Sequence, residues 1–338
     1  MKYYFFTGAA GYIGSHTAYC FLKKEKCKIV IYDNLSTGFY ENIAFLKEEF
    51  SDSLEFIQGD LSDKKQLNDA LLAYPYEAIV HFAASLIVKE SMTNPLLYFR
   101  NNVANTINLL EGVISSKIPN FLFSSTAAVY GEPTSNEPIL EDAQKVPINP
   151  YGESKLMIEK ILLSTQKAFP DFRSVILRYF NVAGALMAKS NLGQRTRNAT
   201  HLIKVACECA CNRRPKMEIF GTDYATPDGT CIRDYIHIDD LANAHFESLK
   251  TLLNTKQSQI YNVGYKRGFS VKEVIECVKK VSGVDFQVDL APRRLGDPAF
   301  LVSNNEKILQ NTAWKPQYDN LETICKSAYL WERQLQDR

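Results

Sequence analysis

Residues 2 to 14 read "KYYFFTGAAGYIG", an aromatic run that breaks off into a turn with glycines at 8, 11 and 14. Tyr and Phe suit a buried strand. Glycines set between a strand and a helical run permit a tight turn and let the backbone approach a pyrophosphate at the positive end of a helix. A glycine triplet alone is a weak signal, and Asp33 strengthens it. That acid ends the next strand-like run, "CKIVIYD", 19 residues after Gly14, where a carboxylate binds the 2′-hydroxyl of an adenine ribose. The same charge repels a 2′-phosphate, so the pattern predicts NAD rather than NADP. "GDL" at residues 59 to 61 puts a second acid, Asp60, after the third strand and near the adenine.

Beyond this unit, strand-like and helix-like segments keep alternating. A helical run from Ile13 to Lys24 precedes "CKIVIYD"; then come "LEFIQGD", a helix ending near Tyr74, and "EAIVHFAA". A long helix from about Pro95 to Ser116 leads to "NFLFSST", and a helix at Tyr151 leads to "RSVILRYFN". Six strands with helical crossovers predict an α/β chain with a doubly wound, Rossmann-type parallel sheet. "GEPTSNEPILEDAQKVPINP" holds four prolines and reads as an extended connection. After Asn181 the loops lengthen, and "YIHIDDLANAHFESLK" reads as a strand and helix returning to the main sheet. The expected division is a dinucleotide-binding domain over residues 1–181 with a returning segment near 235–264, and a smaller C-terminal α/β substrate lobe from 182–234 and 265–338.

A chain of 338 residues with a formal charge of +1 has no basic stripe with interleaved aromatics, so a nucleic-acid partner is not expected. No run of about 18 apolar residues appears, which argues against a membrane span and makes a cytoplasmic location the default. Among eight cysteines, Cys207, Cys209 and Cys211 cluster in "ACECAC", which lacks the C-x-x-C pairing of zinc sites. They read as small buried hydrophobes, and no metal site is expected.

Residues 149 to 155 read "NPYGESK". Asn149 and Pro150 suit a helix start, and on that helix Tyr151 and Lys155 share one face. A free tyrosine titrates near pH ~10, and a nearby cation favours its anion. The pair is therefore a candidate base usable near neutral pH. The same spacing also occurs on ordinary exposed helices.

In chain order "TGAAGYIGSH", "SSTAAVYG", "YGESK" and "LRYFN" resemble the extended short-chain dehydrogenase/reductase family; "GTCIRDYIH" and "APRRLGDP" are similar to its UDP-hexose 4-epimerase branch. The likeness spans nearly the whole chain. It implies that Tyr151 takes the proton of a sugar C4 hydroxyl while the hydride passes to NAD, that Lys155 lowers the tyrosine's pKa and holds the nicotinamide ribose, and that Thr126 hydrogen-bonds the reacting oxygen. The 4-keto sugar then turns and takes the hydride back on its other face. The resemblance also implies cofactor contacts from Gly8, Gly11, Tyr12, Ile13, Gly14, Asp33, Asn34, Asp60 and Leu61, and from Phe82, Ala83, Ala84, Asn101, Ser124 and Tyr179. For the UDP-sugar it implies Arg233 and Arg294 at the diphosphate, Phe220 near the uracil, Asp297 at the uridine ribose, Asn181 at the diphosphate–sugar region, and Leu202. A homodimer through the helices near 95–116 and 151–168 is expected as well.

In a sugar 4,6-dehydratase an Asp-Glu pair follows the hydroxyl residue, whereas Ala127 and Ala128 stand here, and methyl groups move no protons. A decarboxylase, or an NAD-binding protein without turnover, stays open by that argument. Leu86 stands where some members carry lysine and His201 where asparagine is common, so neither contact transfers. Leu301 stands where sugar-restricted members carry a tyrosine beside the sugar C2 substituent. Leucine lacks that reach, which predicts acceptance of UDP-GlcNAc and UDP-GalNAc beside UDP-glucose and UDP-galactose.

Overall fold

The computed structural model describes residues 1–133, 135–189, 191–196, 199–294 and 297–336. Strand β1 (Lys2–Thr7) is buried on both faces, as a strand between two helical layers must be. Phe6 packs with Phe21 and Phe246 on one side, and Phe5 with Leu109 and Phe121 on the other. Around it the chain runs α1 (Tyr12–Lys24), β2 (Cys27–Asp33), α2 (Tyr40–Phe50), β3 (Leu54–Gln58), α3 (Lys64–Leu72) and β4 (Ala78–His81). It continues through α4 (Val88–Thr93), α5 (Pro95–Tyr98), α6 (Asn105–Ser115), β5 (Asn120–Thr126), α7 (Pro150–Ala168) and β6 (Arg173–Tyr179). These strands lie parallel in the order β6-β5-β4-β1-β2-β3. The order reverses between β1 and β4, where a doubly wound sheet opens a crevice at its carboxyl ends.

Three sequence expectations change. A seventh strand, β10 (Gln259–Val263), pairs with β6 at the sheet edge; its sequence "QIYNV" carries polar residues at positions where a central strand would be apolar. The strand of "YIHIDDL", β9 (Ile232–His237), does not join the main sheet. It pairs with β7 (Asn181–Ala183), β11 (Gly268–Ser270) and β13 (Phe300–Leu301) in a second sheet. Only its helix, α9 (Ile238–Thr255), returns, packing against α1. Finally, the long helix after Pro95 is interrupted by a π-helical segment at Phe99–Ala104, between α5 and α6.

The remaining elements are α8 (Leu202–Ala210), the parallel pair β8 (Lys216–Phe220) and β12 (Gln287–Ala291), α10 (Val271–Ser282), α11 (Glu306–Asn311) and α12 (Leu321–Gln336). Helices α8, α10 and α12 pack on one another, burying Cys207 and Cys209 with Ile324 and Cys325. The described residues of 131–149 form no regular element beyond a bridge from Ile139 to Ser303. Among the described residues no helix is long and apolar enough to cross a membrane.

Candidate active site

The turn after β1 is held by a bond from Gly8 N to Tyr32 O at 3.0 Å. Gly8 has a φ of 71°, and a Cβ there would meet Ala83 N at 2.4 Å. A Cβ on Gly14 would lie 2.5 Å from Ala9 Cα, so the loop can press on the helix only with glycine present. No side chain caps α1 at Gly11, which leaves its first-turn N–H groups without a capping acceptor. This cradle fits a pyrophosphate. Asp33 is buried, its Oδ2 accepting from Ala10 N at 2.9 Å and its Oδ1 from Leu35 N at 2.8 Å. Each oxygen keeps a second lone pair for a ribose hydroxyl. Burial raises this carboxyl above its ordinary value, and the two backbone bonds oppose it.

The other expected cofactor residues lie at the start of α1, after β2, β3 and β4, and in the π-helical segment. Asn34 Nδ2 donates to Asp60 Oδ2 at 2.6 Å, and Leu61 is buried beside them. Ile13 is half-buried at the start of α1, whereas the Tyr12 hydroxyl donates to Gly184 O, just after β7, at 2.7 Å. Phe82, Ala83 and Ala84 follow β4, and Asn101 Nδ2 donates to Ser85 Oγ at 3.0 Å.

Helix α7 starts at Pro150 because Asn149 Oδ1 accepts from Gly152 N at 2.9 Å, a side-chain cap for an otherwise orphan donor. Its first turn presents Tyr151 edge-on to Tyr98, with ring centroids 6.5 Å apart. Thr126 is the last residue of β5, its Oγ1 accepting from Ala128 N at 3.2 Å. Burial raises the Tyr151 phenol above its ordinary value, and the Thr126 hydroxyl opposes that shift. Lys155 is 3% exposed, and its Nζ donates to Ser124 O at 2.9 Å over the Phe123 ring. Burial pushes this ammonium down to about 7, with Glu159 opposing the shift.

The partner of Lys155 in this structure is the strand carbonyl Ser124 O.

Several residues that support this site were not anticipated. His245 Nδ1 donates to Leu241 O at 2.8 Å, so its Nε2 accepts from Ser124 Oγ at 2.7 Å. Asn102, in the π-helical segment, accepts from Ser85 N at 2.7 Å and donates to Ser154 Oγ at 3.0 Å, tying the loop after β4 to α7. The available signal was "NN" inside a predicted helix, where asparagine is a poor former. Glu159 forms a buried pair with Arg178 at 2.6 Å and accepts from Ser125 Oγ.

On the substrate side, one small sheet gathers residues far apart in sequence. Asn181 on β7 is paired with Tyr235 on β9, and Leu301 on β13 with Arg233 on β9. Arg233 is buried, and its Nη2 meets Asp297 Oδ1 at 2.6 Å. Arg294 stacks on Phe220 with its Cζ 3.7 Å from the ring centroid. The four expected nucleotide contacts thus form two pairs. Leu301 packs on a cluster containing Ala127, Leu156 and Phe180, beside α7. Leu202 opens α8, while Leu86 is exposed and His201 bonds Gln194 Nε2 at 3.1 Å.

A Tyr–Lys pair beside a strand-end hydroxyl, at the carboxyl ends of a doubly wound sheet, defines a dinucleotide-dependent enzyme of the short-chain dehydrogenase/reductase class. Residues 4–264 match the NAD dependent epimerase/dehydratase family, and the chain belongs to it. It is 47% identical to a UDP-glucose 4-epimerase of Azospirillum brasilense over 98% of this chain and 92% of the relative. Among solved structures, the UDP-Glc/GlcNAc 4-epimerase of Campylobacter jejuni is 52% identical with a TM-score of 0.86, over 99% of this chain and 100% of the other. A UDP-glucose 4-epimerase of Brucella ovis in complex with NAD is 37% identical with a TM-score of 0.92, over 98% and 99% of the two chains.

Proposed function

We propose that the protein is an NAD-dependent UDP-hexose 4-epimerase, an isomerase acting on UDP-glucose/UDP-galactose and on UDP-GlcNAc/UDP-GalNAc. The observation that carries this reading is the placement of Thr126 at the end of β5 and of Tyr151 in the first turn of α7, one turn before the buried Lys155. When bound, NAD supplies the hydride acceptor that makes oxidation at C4 reversible. Tyr151 accepts the C4 hydroxyl proton and later returns it. Thr126 holds the phenol and the reacting oxygen in line, and Lys155 lies where a nicotinamide ribose hydroxyl could replace its carbonyl partner.

In this reading residues 1–181 and 235–264 hold the cofactor, while 182–234 and 265–338 hold the UDP-sugar. Arg233 and Arg294 exchange part of their present pairing for the diphosphate, a geometry guanidinium suits. Phe220 packs on the uracil, Asp297 binds the ribose, and Asn181 and Leu202 border the sugar. Leu301, in register with Arg233, leaves the C2 side open to an acetamido group. The Campylobacter jejuni relative, a UDP-Glc/GlcNAc 4-epimerase, supports the wider range.

We also propose a cytoplasmic homodimer. Exposed Leu96 and Leu97 on α5, Ile107 on α6 and Leu163 on α7 offer an apolar face to a second copy.

Purified protein given no added cofactor is incubated separately with UDP-galactose and UDP-GalNAc, and the products are resolved by chromatography. Conversion of both is expected. Conversion of UDP-galactose alone would remove the Leu301 argument, and no conversion even with added NAD would overturn the epimerase reading.

A further inference from the structure

We propose that His245, on α9, is a positioning residue for the epimerase reaction: its Nε2 anchors the Ser124 hydroxyl and so fixes the backbone carbonyl that holds the Lys155 amine. The inference rests on the epimerase reading and adds to it a residue 121 positions away from Ser124.

The carboxyl end of β5 needs such a support. Pairing with β4 covers only Phe121 to Phe123, whereas pairing with β6 runs on through Ser124, Ser125 and Thr126. The last three residues are therefore held by a ladder on one side alone, and they carry both the Lys155 acceptor and the Thr126 hydroxyl. Successive side chains of a strand point to opposite faces, and here both are tied down. Ser125 Oγ donates to Glu159 Oε1 on α7 at 2.6 Å, and Ser124 Oγ to His245 Nε2 on α9 at 2.7 Å. Between these two pins Ser124 O accepts from Lys155 Nζ at 2.9 Å.

Only a neutral histidine in one tautomer can act this way. Leu241 O has no proton to give, so His245 Nδ1 carries the hydrogen of their 2.8 Å bond. Nε2 is left with a lone pair for the serine. The ring is fully buried, and burial pushes its imidazolium down to about 4, so the acceptor persists at neutral pH. Its centroid lies 5.2 Å from that of Phe82 and 6.1 Å from that of Tyr179. Those contacts ask only for a side chain of that size, whereas the bond to Ser124 asks for an acceptor. Without one, a buried hydroxyl must turn to another partner, and Ser124 O turns with it.

The test measures turnover of UDP-galactose per NAD-loaded site for wild type, His245→Leu and His245→Gln. Both variants lose the ring, but glutamine keeps an acceptor where Nε2 stood. His245→Leu should lower kcat by about 10- to 100-fold, the scale of a slightly misplaced catalytic group, with KM near the wild-type value. His245→Gln should recover most of that loss. In a Ser124→Ala background the two variants should be equally active, since the hydroxyl they act through is gone. Equal kcat for His245→Leu and His245→Gln in the native background, a loss confined to KM, or a difference that persists without the serine hydroxyl would overturn the role. Wild type with no turnover even with NAD added would overturn the epimerase reading and this role with it, so the two failures are told apart. Nitrogen-15 NMR of the histidine rings keeps the proposal falsifiable even if the His245 variants do not fold. The ring whose Nε2 resonance moves in Ser124→Ala should carry its proton on Nδ1, and a proton on Nε2 would overturn the proposal.

Discussion

Replacing Lys155 with methionine should make the nucleotide-free protein more stable, and by an amount that depends on pH. In the folded chain the Lys155 ammonium titrates at about 7 against an ordinary value of 10.5. A gap of that size corresponds to about 5 kcal/mol of unfavourable charge burial. Below pH 7 both folded and unfolded chains hold the proton, and the folded state bears the whole cost. Between pH 7 and 10.5 the unfolded chain binds the extra proton, so this contribution makes stability climb with pH. Methionine is of similar length and carries no charge, but it removes the donor to Ser124 O, a loss of about 1–3 kcal/mol for a buried carbonyl. The net expectation is a gain of about 2–4 kcal/mol at pH 6 that shrinks by about 2–3 kcal/mol at pH 9. Urea unfolding of wild type and Lys155→Met at both pH values reads this directly. Destabilisation at pH 6, or the same difference at both pH values, would refute the claim that a costly ammonium is buried there. The variant should also lose epimerase turnover, the usual exchange of stability for activity.

Tyr151→Phe should keep NAD and UDP binding, measured by calorimetry, while epimerisation of UDP-galactose falls at least about 100-fold, the lower range for losing a general base. Leu301→Tyr should selectively lower turnover of UDP-GalNAc relative to UDP-galactose in a direct assay of each; an equal loss on both would remove Leu301 as the determinant. Gly8→Ala puts a Cβ 2.4 Å from Ala83 N at a φ of 71°. It should cost at least about 2 kcal/mol in urea unfolding and weaken NAD binding. Glu159→Ala leaves the Arg178 guanidinium in a dry interior, where Tyr130 and the Glu141 carbonyl are its remaining partners. The expected loss is about 3–5 kcal/mol by the same method.

The unit from Lys2 to Asp33 was legible because each of its parts is local. An apolar strand, a glycine turn and a carboxylate at the end of the next strand leave their marks within one stretch of chain. Sheet membership is a different kind of fact. Nothing in "YIHIDD" says whether its partner is β6 or the short strands β7 and β13, and the edge strand "QIYNV" lacks the apolar run that marks its neighbours. The same limit holds at the site. Spacing placed Tyr151 and Lys155 on one helical face, but the acceptor that Lys155 meets, Ser124 O, lies on a strand about thirty residues earlier. Arg233, Asp297, Arg294 and Phe220 were individually picked out by resemblance. Their pairing depends on how two loops approach, which spacing does not encode. Asn102 and His245 escaped notice because an asparagine or histidine in a helix reads as ordinary until its partners are visible.

The order in which the chain supplies the parts of its large sheet has a consequence for synthesis on the ribosome. Helix α1 emerges early, yet the helix that covers it, α9, spans Ile238–Thr255, and the strand that finishes the large sheet spans Gln259–Val263. Between them and β6 lie β7, α8, β8 and β9, none of which joins that sheet. A nascent chain of this protein cannot complete its amino-terminal half and then begin the next, as chains of successive domains do. Phe21, whose ring meets Phe246 at 5.1 Å, keeps an unburied face until more than two thirds of the polypeptide has been made. During that interval the exposed flank of α1 is a surface for chaperones to hold, and a translation stop before α9 would release a chain whose sheet has one apolar side uncovered.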